Sequence, residues 1–496
     1  MPDASKPGQS RSLKRHFQNW LSWTGMVLAA AALFAFVLLF AIDFLAPAKN
    51  AYIGILAYVI APFFFLLGLA LTLFGAILHK RAERRSPQVE QKHRVLQIDL
   101  SRKRDRRILA LFALCTVGFL FLTALGSYGT YQYTESVDFC GQRCHVPMEP
   151  QFVAYQHTAH ASVECVACHV GPGAAAYFKT KLNGVKQLYH TVRGDFGRPI
   201  EITAETRPAQ EICLHCHWPS RYIGMLDHTY QHYLPDEANT PFAVRLLLNV
   251  GGGDPSRGPV GGIHWHMNIA NKVEYIATDN AANTIPWVRV TNAQGRTTEY
   301  RTDDFKGEPS QERIHRMDCL DCHSRPAHDL RPPNEAVDVA MAGGRIDPKI
   351  PFAKAKVVAA LTQPYTSKPE ALQAIATSLH TAYPNPKQAD PLIAEAQAIY
   401  RRNFFPEMKT DWRTYANNIG HKDWNGCFRC HDGNHKTADG NKTIAASDCN
   451  SCHLILAQGS GEQLKKLNAD GYAFFHVDSE FSDFSCAMCH TGGLQK

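Results

Sequence analysis

At 496 residues the chain is longer than one ordinary domain, and its hydrophobic share of 45% is that of a globular protein, though unevenly spread along the sequence. The formal charge of +7 is no evidence for a nucleic-acid partner, because the cofactors implied below carry compensating anionic groups. Fourteen of the 15 cysteines fall into one repeated motif, and Cys115 sits alone in an apolar run, which excludes a disulfide framework.

The first 130 residues read as membrane-associated. A tail (1–23) carrying Lys6, Arg11, Lys14 and Arg15 precedes two apolar runs within 24–78, from Thr24 to Ala46 and from Ala51 to Leu78. A third lies within 108–130, from Ile108 to Tyr128. Each exceeds the roughly 20 residues a helix needs to cross a bilayer, and charge is almost absent from them. Asp43, near the end of the first run, reads as a carboxylate reaching the interface. The first run is too long for a signal peptide. Eleven Lys and Arg residues crowd the segment 79–107, whereas only Lys49 lies in the link between the first two runs. Positive charge stays inside, so the tail and the basic loop are expected in the cytoplasm and everything after Tyr131 outside the inner membrane, in the periplasm.

That outer part holds seven haem-attachment motifs, here called sites one to seven. Site one has a three-residue spacer: Cys140, Cys144, His145. The other six are C-x-x-C-H. They are Cys165, Cys168 and His169; Cys213, Cys216 and His217; Cys319, Cys322 and His323; Cys427, Cys430 and His431; Cys449, Cys452 and His453; and Cys486, Cys489 and His490. Two thiols add across the vinyl groups of a haem, and the next histidine lands under the iron. Zinc knuckles need no histidine after every second cysteine, and a redox dithiol does not recur seven times. Seven c-type haems are therefore expected. Their propionates, offset by about one positive charge per ferric iron, bring the total charge near zero.

The segment 131–330 carries four sites. Within 255–305 the alternation of Val273, Tyr275, Trp287, Val288 and Val290, with an N-A-Q-G turn at Asn292–Gly295, predicts a small β-hairpin. The stretch 331–410 has no motif and reads as helices, as at Pro369–Leu379 and Pro391–Tyr400. Residues 411–496 hold three sites in short loops and helices. The fold class is thus mainly α with little regular β, three transmembrane helices and a periplasmic haem domain in which the haems take the place of an ordinary core.

Each low-spin haem needs a second axial ligand, usually His or Met. Of 24 histidines, fourteen lie in the outer part and are not in a motif. His160, His328, His421, His435 and His476 lie near motifs and are candidates. His264 and His266 in G-I-H-W-H alternate like strand residues, so they point to opposite faces and one of them is expected to ligate. Met148 follows His145 by three residues, and either could ligate the first haem.

The segment from the third apolar run through Cys322 resembles the NapC/NirT family of membrane-anchored quinol dehydrogenases. The likeness rests on F-C-G-Q-R-C-H-V-P-M (Phe139–Met148), H-x-x-x-x-C-V-A-C-H (His160–His169), K-T-K-L-N-G (Lys179–Gly184) and C-L-D-C-H-S-R-P-A-H (Cys319–His328). The resemblance implies a first haem beside the membrane with Met148 on its iron, His160 as the distal ligand of the fourth haem and His328 as that of the second. It also implies Lys181 in a quinol pocket. The whole chain is similar to the seven-haem, three-helix quinol dehydrogenases of metal-reducing bacteria. That likeness rests on G-I-H-W-H (Gly262–His266), I-P-W-V-R-V (Ile285–Val290), N-N-I-G-H (Asn417–His421) and G-C-F-R-C-H-D-G-N-H (Gly426–His435). It implies menaquinol as substrate, membrane lipid and the quinone pool as surroundings, and periplasmic c-type cytochromes as electron acceptors in anaerobic or extracellular respiration.

Two features depart from the family pattern: the longer spacer of site one, and Gln187 and Leu188 where an acid is expected after the pocket lysine, none appearing before Asp195. The stretch Ala174–His190 reads as an amphipathic helix able to lie on the membrane, and Lys179, Lys181 and Lys186 would equally suit anionic headgroups. An anchored relay without a quinol site and a haem-based terminal reductase are the competing functions.

Overall fold

A computed structural model describes residues 19–45, 56–85, 101–143, 145–170, 174–200, 209–218, 221–252, 256, 261–268, 270–445, 449–477 and 486–493. The basic tail, Lys49, the centre of the basic loop, Cys144 and the side chains of Asp43, His145 and Cys449 lie outside the described residues. The chain forms two units, divided after Cys140.

The first unit is helical. Helices α1 (Trp20–Leu45), α2 (Ala61–Arg85, entered through a π-turn at Leu56–Ile60) and α3 (Lys103–Glu135) account for it. Two stretches, Trp20–Ala41 and Leu56–His79, are long and apolar enough to cross a membrane among the described residues. Three were expected. The third falls on α3, where many side chains in its first half lie outside the described residues. Helices α1 and α2 meet through small residues: a Cβ at Gly25 would press on the backbone of Gly68 and Thr72, and one at Gly68 on Ala29. Buried Ser22 donates from its hydroxyl to Thr72 O at 2.9 Å. Close backbone approach with a hydroxyl bond between helices is how apolar helices associate where the hydrophobic effect gives no driving force. The large side chains turn outward, Val27, Phe34, Phe63 and Phe74 among them. On α3, Gly126 leaves room for the Tyr58 ring, and Ser127 donates to Tyr58 O at 2.7 Å.

The second unit, from Gly141 onward, begins with four helices that frame the early motifs: α4 (His145–Tyr155), α5 (Cys165–His169), α6 (Ala174–Arg193) and α7 (Ala209–Cys213). Two antiparallel sheets follow, where one hairpin was expected. The first has the order β1 (Leu226–Tyr233), β2 (Pro241–Leu248), β7 (His453–Gly459). The second has the order β5 (Thr297–Arg301), β4 (Trp287–Thr291), β3 (Lys272–Ile276), β6 (His315–Arg316). The N-A-Q-G turn joins β4 to β5, with Asn292 Oδ1 accepting from the backbone of Gln294 and Arg296, and Gly295 at φ +73°. The first sheet escapes periodicity. β1 is largely polar, β2 is a short apolar run that fits helix or strand, and β7 arrives from far along the chain, starting at the histidine of site six.

Residues 331–410 fold as α8 (Pro333–Ala342), α9 (Ala353–Leu361), α10 (Lys368–Ala382) and α11 (Pro386–Asn403). Ser367 and Asn385 cap the last two, each followed by proline in the first turn. Val337, Leu361, Ile375, Leu379 and Leu392 are fully buried in one cluster. The unit therefore contains an ordinary hydrophobic core, contrary to the expectation that haem would replace it. A last short helix, α12 (Cys486–Cys489), closes the described chain.

A buried ion pair fastens the helices to the first sheet. Lys354 Nζ lies 2.6 Å from Asp338 Oδ1 and also donates to Tyr233 O on β1; Asp338 accepts from Tyr233 N at 3.0 Å and meets His232 Nδ1 at 3.2 Å. Burial lowers the pKa of Lys354 even with the carboxylate beside it. Removing one partner strands the other charge in the interior. Asp338→Ala should cost about 3–5 kcal/mol, whereas Asp338→Leu with Lys354→Met should recover most of it. Thermal denaturation followed by circular dichroism checks this, and equal losses in both variants would contradict it.

Candidate haem sites built from paired histidines

Three motif histidines end or follow short helices: His169 ends α5, His217 follows α7 and His490 follows α12; His453 begins β7. Six motif histidines each face a second imidazole. His169 faces His328 with ring centroids 6.2 Å apart, and His217 faces His160 at 6.0 Å. His323 faces His264 at 6.4 Å, and His431 faces His266 at 5.9 Å. His453 faces His421 at 6.2 Å, and His490 faces His476 at 6.1 Å. A metal–imidazole bond of about 2 Å, plus about 1.1 Å from nitrogen to ring centre, sets two rings on opposite sides of one metal about 6 Å apart. All six separations match that value, and each pair has motif cysteines beside it.

The environment of the rings suits ligation. Nδ1 of His160 donates to Pro326 O at 2.8 Å, that of His328 to Gln151 O at 3.0 Å, that of His264 to Val250 O at 2.6 Å and that of His266 to Ile263 O at 2.8 Å. A carbonyl on Nδ1 fixes the tautomer and leaves Nε2 for a metal. Burial lowers the pKa of His169, His266, His323, His328, His421 and His453, and burial with Lys422 nearby takes His490 to about 4. For these seven rings a lowered pKa favours the neutral form, which is the form that binds metal. No disulfide joins the described motif cysteines. Large apolar side chains stand exposed beside the pairs: Trp218 and Ile223 after site three, Ile419 by His421, Phe474, Phe475 and Val477 around His476, and Met488 within site seven. Such patches on a protein surface mark something that covers them, and a haem face would.

Several expectations are revised. His264 and His266 lie on a 3-10 turn, Ile263–Met267, and not on a strand. That turn spreads the two rings to different motif histidines, His264 to His323 of site four and His266 to His431 of site five. His160 faces His217 of site three, and the fourth-site histidine faces His264. His435 faces no motif histidine among the described ring contacts: it is buried, its Nδ1 meets Asp432 Oδ1 at 2.9 Å and its Nε2 meets Ile285 O at 2.6 Å, so both ring nitrogens are engaged. It pins the loop after site five to the second sheet. Met148 is half-buried on α4, three residues after His145. Lys181 is half-buried on α6, whose exposed Leu182, Val185, Tyr189 and Val192 form one apolar face. Asp195, the first acid after it, pairs with His190 at 2.9 Å.

Repeated haem-attachment motifs, six of whose histidines face a second imidazole about 6 Å away, are the pattern of a multihaem c-type cytochrome. Residues 102–210 match the N-terminal region of the NapC/NirT cytochrome c family. The chain is also 36% identical over 501 residues to the cytochrome c-type protein ImcH of Geobacter sulfurreducens, covering 98% of this chain and 97% of that protein. The chain belongs to this family of NapC/NirT-type cytochromes c. No solved structure matches it.

The pairings predict what ligand removal does. His264→Ala and His266→Ala should each open one coordination position, so that the reduced protein binds one carbon monoxide more per molecule than wild type. His435→Ala should bind no more than wild type. Difference spectra under carbon monoxide read this out, and extra binding in the His435 variant would restore that residue as a ligand.

Proposed function

We propose that the protein is a membrane-bound menaquinol dehydrogenase that holds seven c-type haems and passes electrons from the quinone pool to periplasmic cytochromes. The observation that carries this reading is the set of six histidine pairs. With both axial positions taken, a haem exchanges electrons and has no free position for a small substrate, which disfavours a terminal reductase. When bound, the haems supply one-electron ferric/ferrous couples, whose potentials axial ligation and burial adjust. Menaquinol loses two electrons and two protons to become menaquinone, so the chain has to hold a quinol and release its protons.

Lys181 is the residue proposed to hold the quinol. A cationic side chain beside the quinol oxygen stabilises the anion that forms as the proton leaves. The exposed apolar face of α6 supports a position against lipid, where a quinol arrives. Met148 or His145 would ligate the first haem, and His190 with Asp195 offers a proton-accepting pair on the same stretch. Three membrane spans are proposed, the third on α3, where Leu111, Leu114, Val117, Phe121 and Leu125 are exposed along the helix. The tail and the basic loop face the cytoplasm and the haem-bearing unit the periplasm.

Lys181→Ala should slow reduction by a menaquinol analogue on the order of a hundredfold. It should leave dithionite reduction and the intact mass, with seven haem additions, unchanged. Lys179→Ala and Lys186→Ala should have little effect. Equal, mild effects from all three would make the lysines a headgroup-binding patch and favour the relay without a quinol site. A reporter inserted at Gln91 should be active in the cytoplasm, and one placed after Lys496 only outside; the reverse would overturn the topology.

A further inference from the structure

The six histidine pairs fall into two classes by the angle between their ring planes. His264 and His323 are nearly coplanar in orientation, at 5°, and His421 and His453 lie at 24°. The other four are twisted: 46° for His169 with His328, 65° for His160 with His217, 67° for His476 with His490, and 86° for His266 with His431. An imidazole bound through Nε2 can turn about its bond to the iron, so its plane is set by whatever holds the rest of the ring.

The two aligned pairs share a feature that no other pair shows among the described ring contacts. An aromatic ring lies flat on the non-motif histidine. Tyr222 stacks on His264 with centroids 4.2 Å apart and planes 18° apart, and Phe428 stacks on His421 at 4.2 Å and 19°. The distances are those of stacked rings. For His421 the ring contact has little competition: its Nδ1 is buried and has no hydrogen-bond partner among the described residues. Phe428 also lies between Cys427 and Cys430, so the attachment loop of site five carries the ring that orients the axial ligand of site six.

We propose that Tyr222 and Phe428 are positioning residues that set the axial-ligand planes at sites four and six and so give these two haems an electronic structure different from the rest. This rests on the reading of the pairs as axial ligands. The consequence follows from ligand-field chemistry. Aligned imidazoles donate into the same iron d orbital and split the dπ pair, which gives a rhombic low-spin signal. Crossed imidazoles donate into both, leave the pair nearly degenerate and give a strongly anisotropic signal. The lever is the orientation of a ligand by its neighbours, with no change in the ligand itself.

Electron paramagnetic resonance of the fully oxidised protein tests this without reference to activity. The wild type should show two haems' worth of rhombic low-spin signal from histidine-ligated iron. Phe428→Leu keeps apolar bulk but removes the ring, and should lose one of the two, as should Tyr222→Leu. Phe428→Tyr and Tyr222→Phe keep a ring and should retain both. Intact mass establishes that every variant carries its full set of haems. If Phe428→Leu and Tyr222→Leu leave both rhombic signals in place, the stacking does not set the planes and the proposal fails. It fails also if fully loaded wild type shows no rhombic signal. Carbon monoxide binding by the reduced wild type at more than one haem would instead show that the pairs are not axial ligands, which removes the underlying reading as well.

Discussion

In six places two imidazoles from separate parts of the chain face each other about 6 Å apart, as the two sides of one iron would require, and most of the outer unit is arranged to hold them there. The partners are rarely neighbours. His328, just after site four, faces site two; His160, just before site two, faces site three; His421, just before site five, faces site six. Each pairing closes a loop across other motifs, at an entropic cost that grows only slowly with loop length. Ligation by iron can offset that cost, since binding that requires the folded arrangement contributes to folding free energy. The pairs thus make one unit of residues that the motif spacing divides into three stretches.

The rest of the outer unit prepares that arrangement. Helices α8 to α11 bury an apolar core, and the Lys354–Asp338 pair ties them to β1 through Tyr233. β2 receives β7 on its other edge, and β7 begins at His453 of site six, so sheet pairing places a motif histidine directly. His435, held by Asp432 and Ile285 O, docks the loop of site five on the second sheet. None of these residues belongs to a histidine pair, yet they decide where the paired rings stand.

How much could be read beforehand depended on whether the signal was local. The motifs are local chemistry, and the six histidines that face motif histidines, His160, His264, His266, His328, His421 and His476, all stood among the candidates named from sequence, though only one of His264 and His266 was expected to serve. Which ring faces which could not be read from position, because partnership is a property of the tertiary fold; the family resemblance assigned two, His328 to the second site, which it faces, and His160 to the fourth, whereas it faces the third. The G-I-H-W-H segment shows why: two histidines two apart suit a strand or a tight turn, and only the turn lets both be used. His435 shows the converse. Its position beside a motif resembles that of a ligand, and only the two hydrogen bonds to its ring remove it. The first sheet stayed hidden because β1 is polar and β7 comes from far along the chain. The apolar runs were plain, while their packing through Gly25, Gly68 and Gly126 depends on which faces meet.

The central claim is that six irons are each held between the histidine pairs described. Near-infrared magnetic circular dichroism of the oxidised protein measures this most directly, because the charge-transfer band of low-spin ferric haem differs between histidine–histidine and histidine–methionine ligation. The account predicts six equivalents of histidine–histidine band per protein, with one haem left to site one. Fewer than six, with high-spin or methionine-ligated iron in their place, would contradict it.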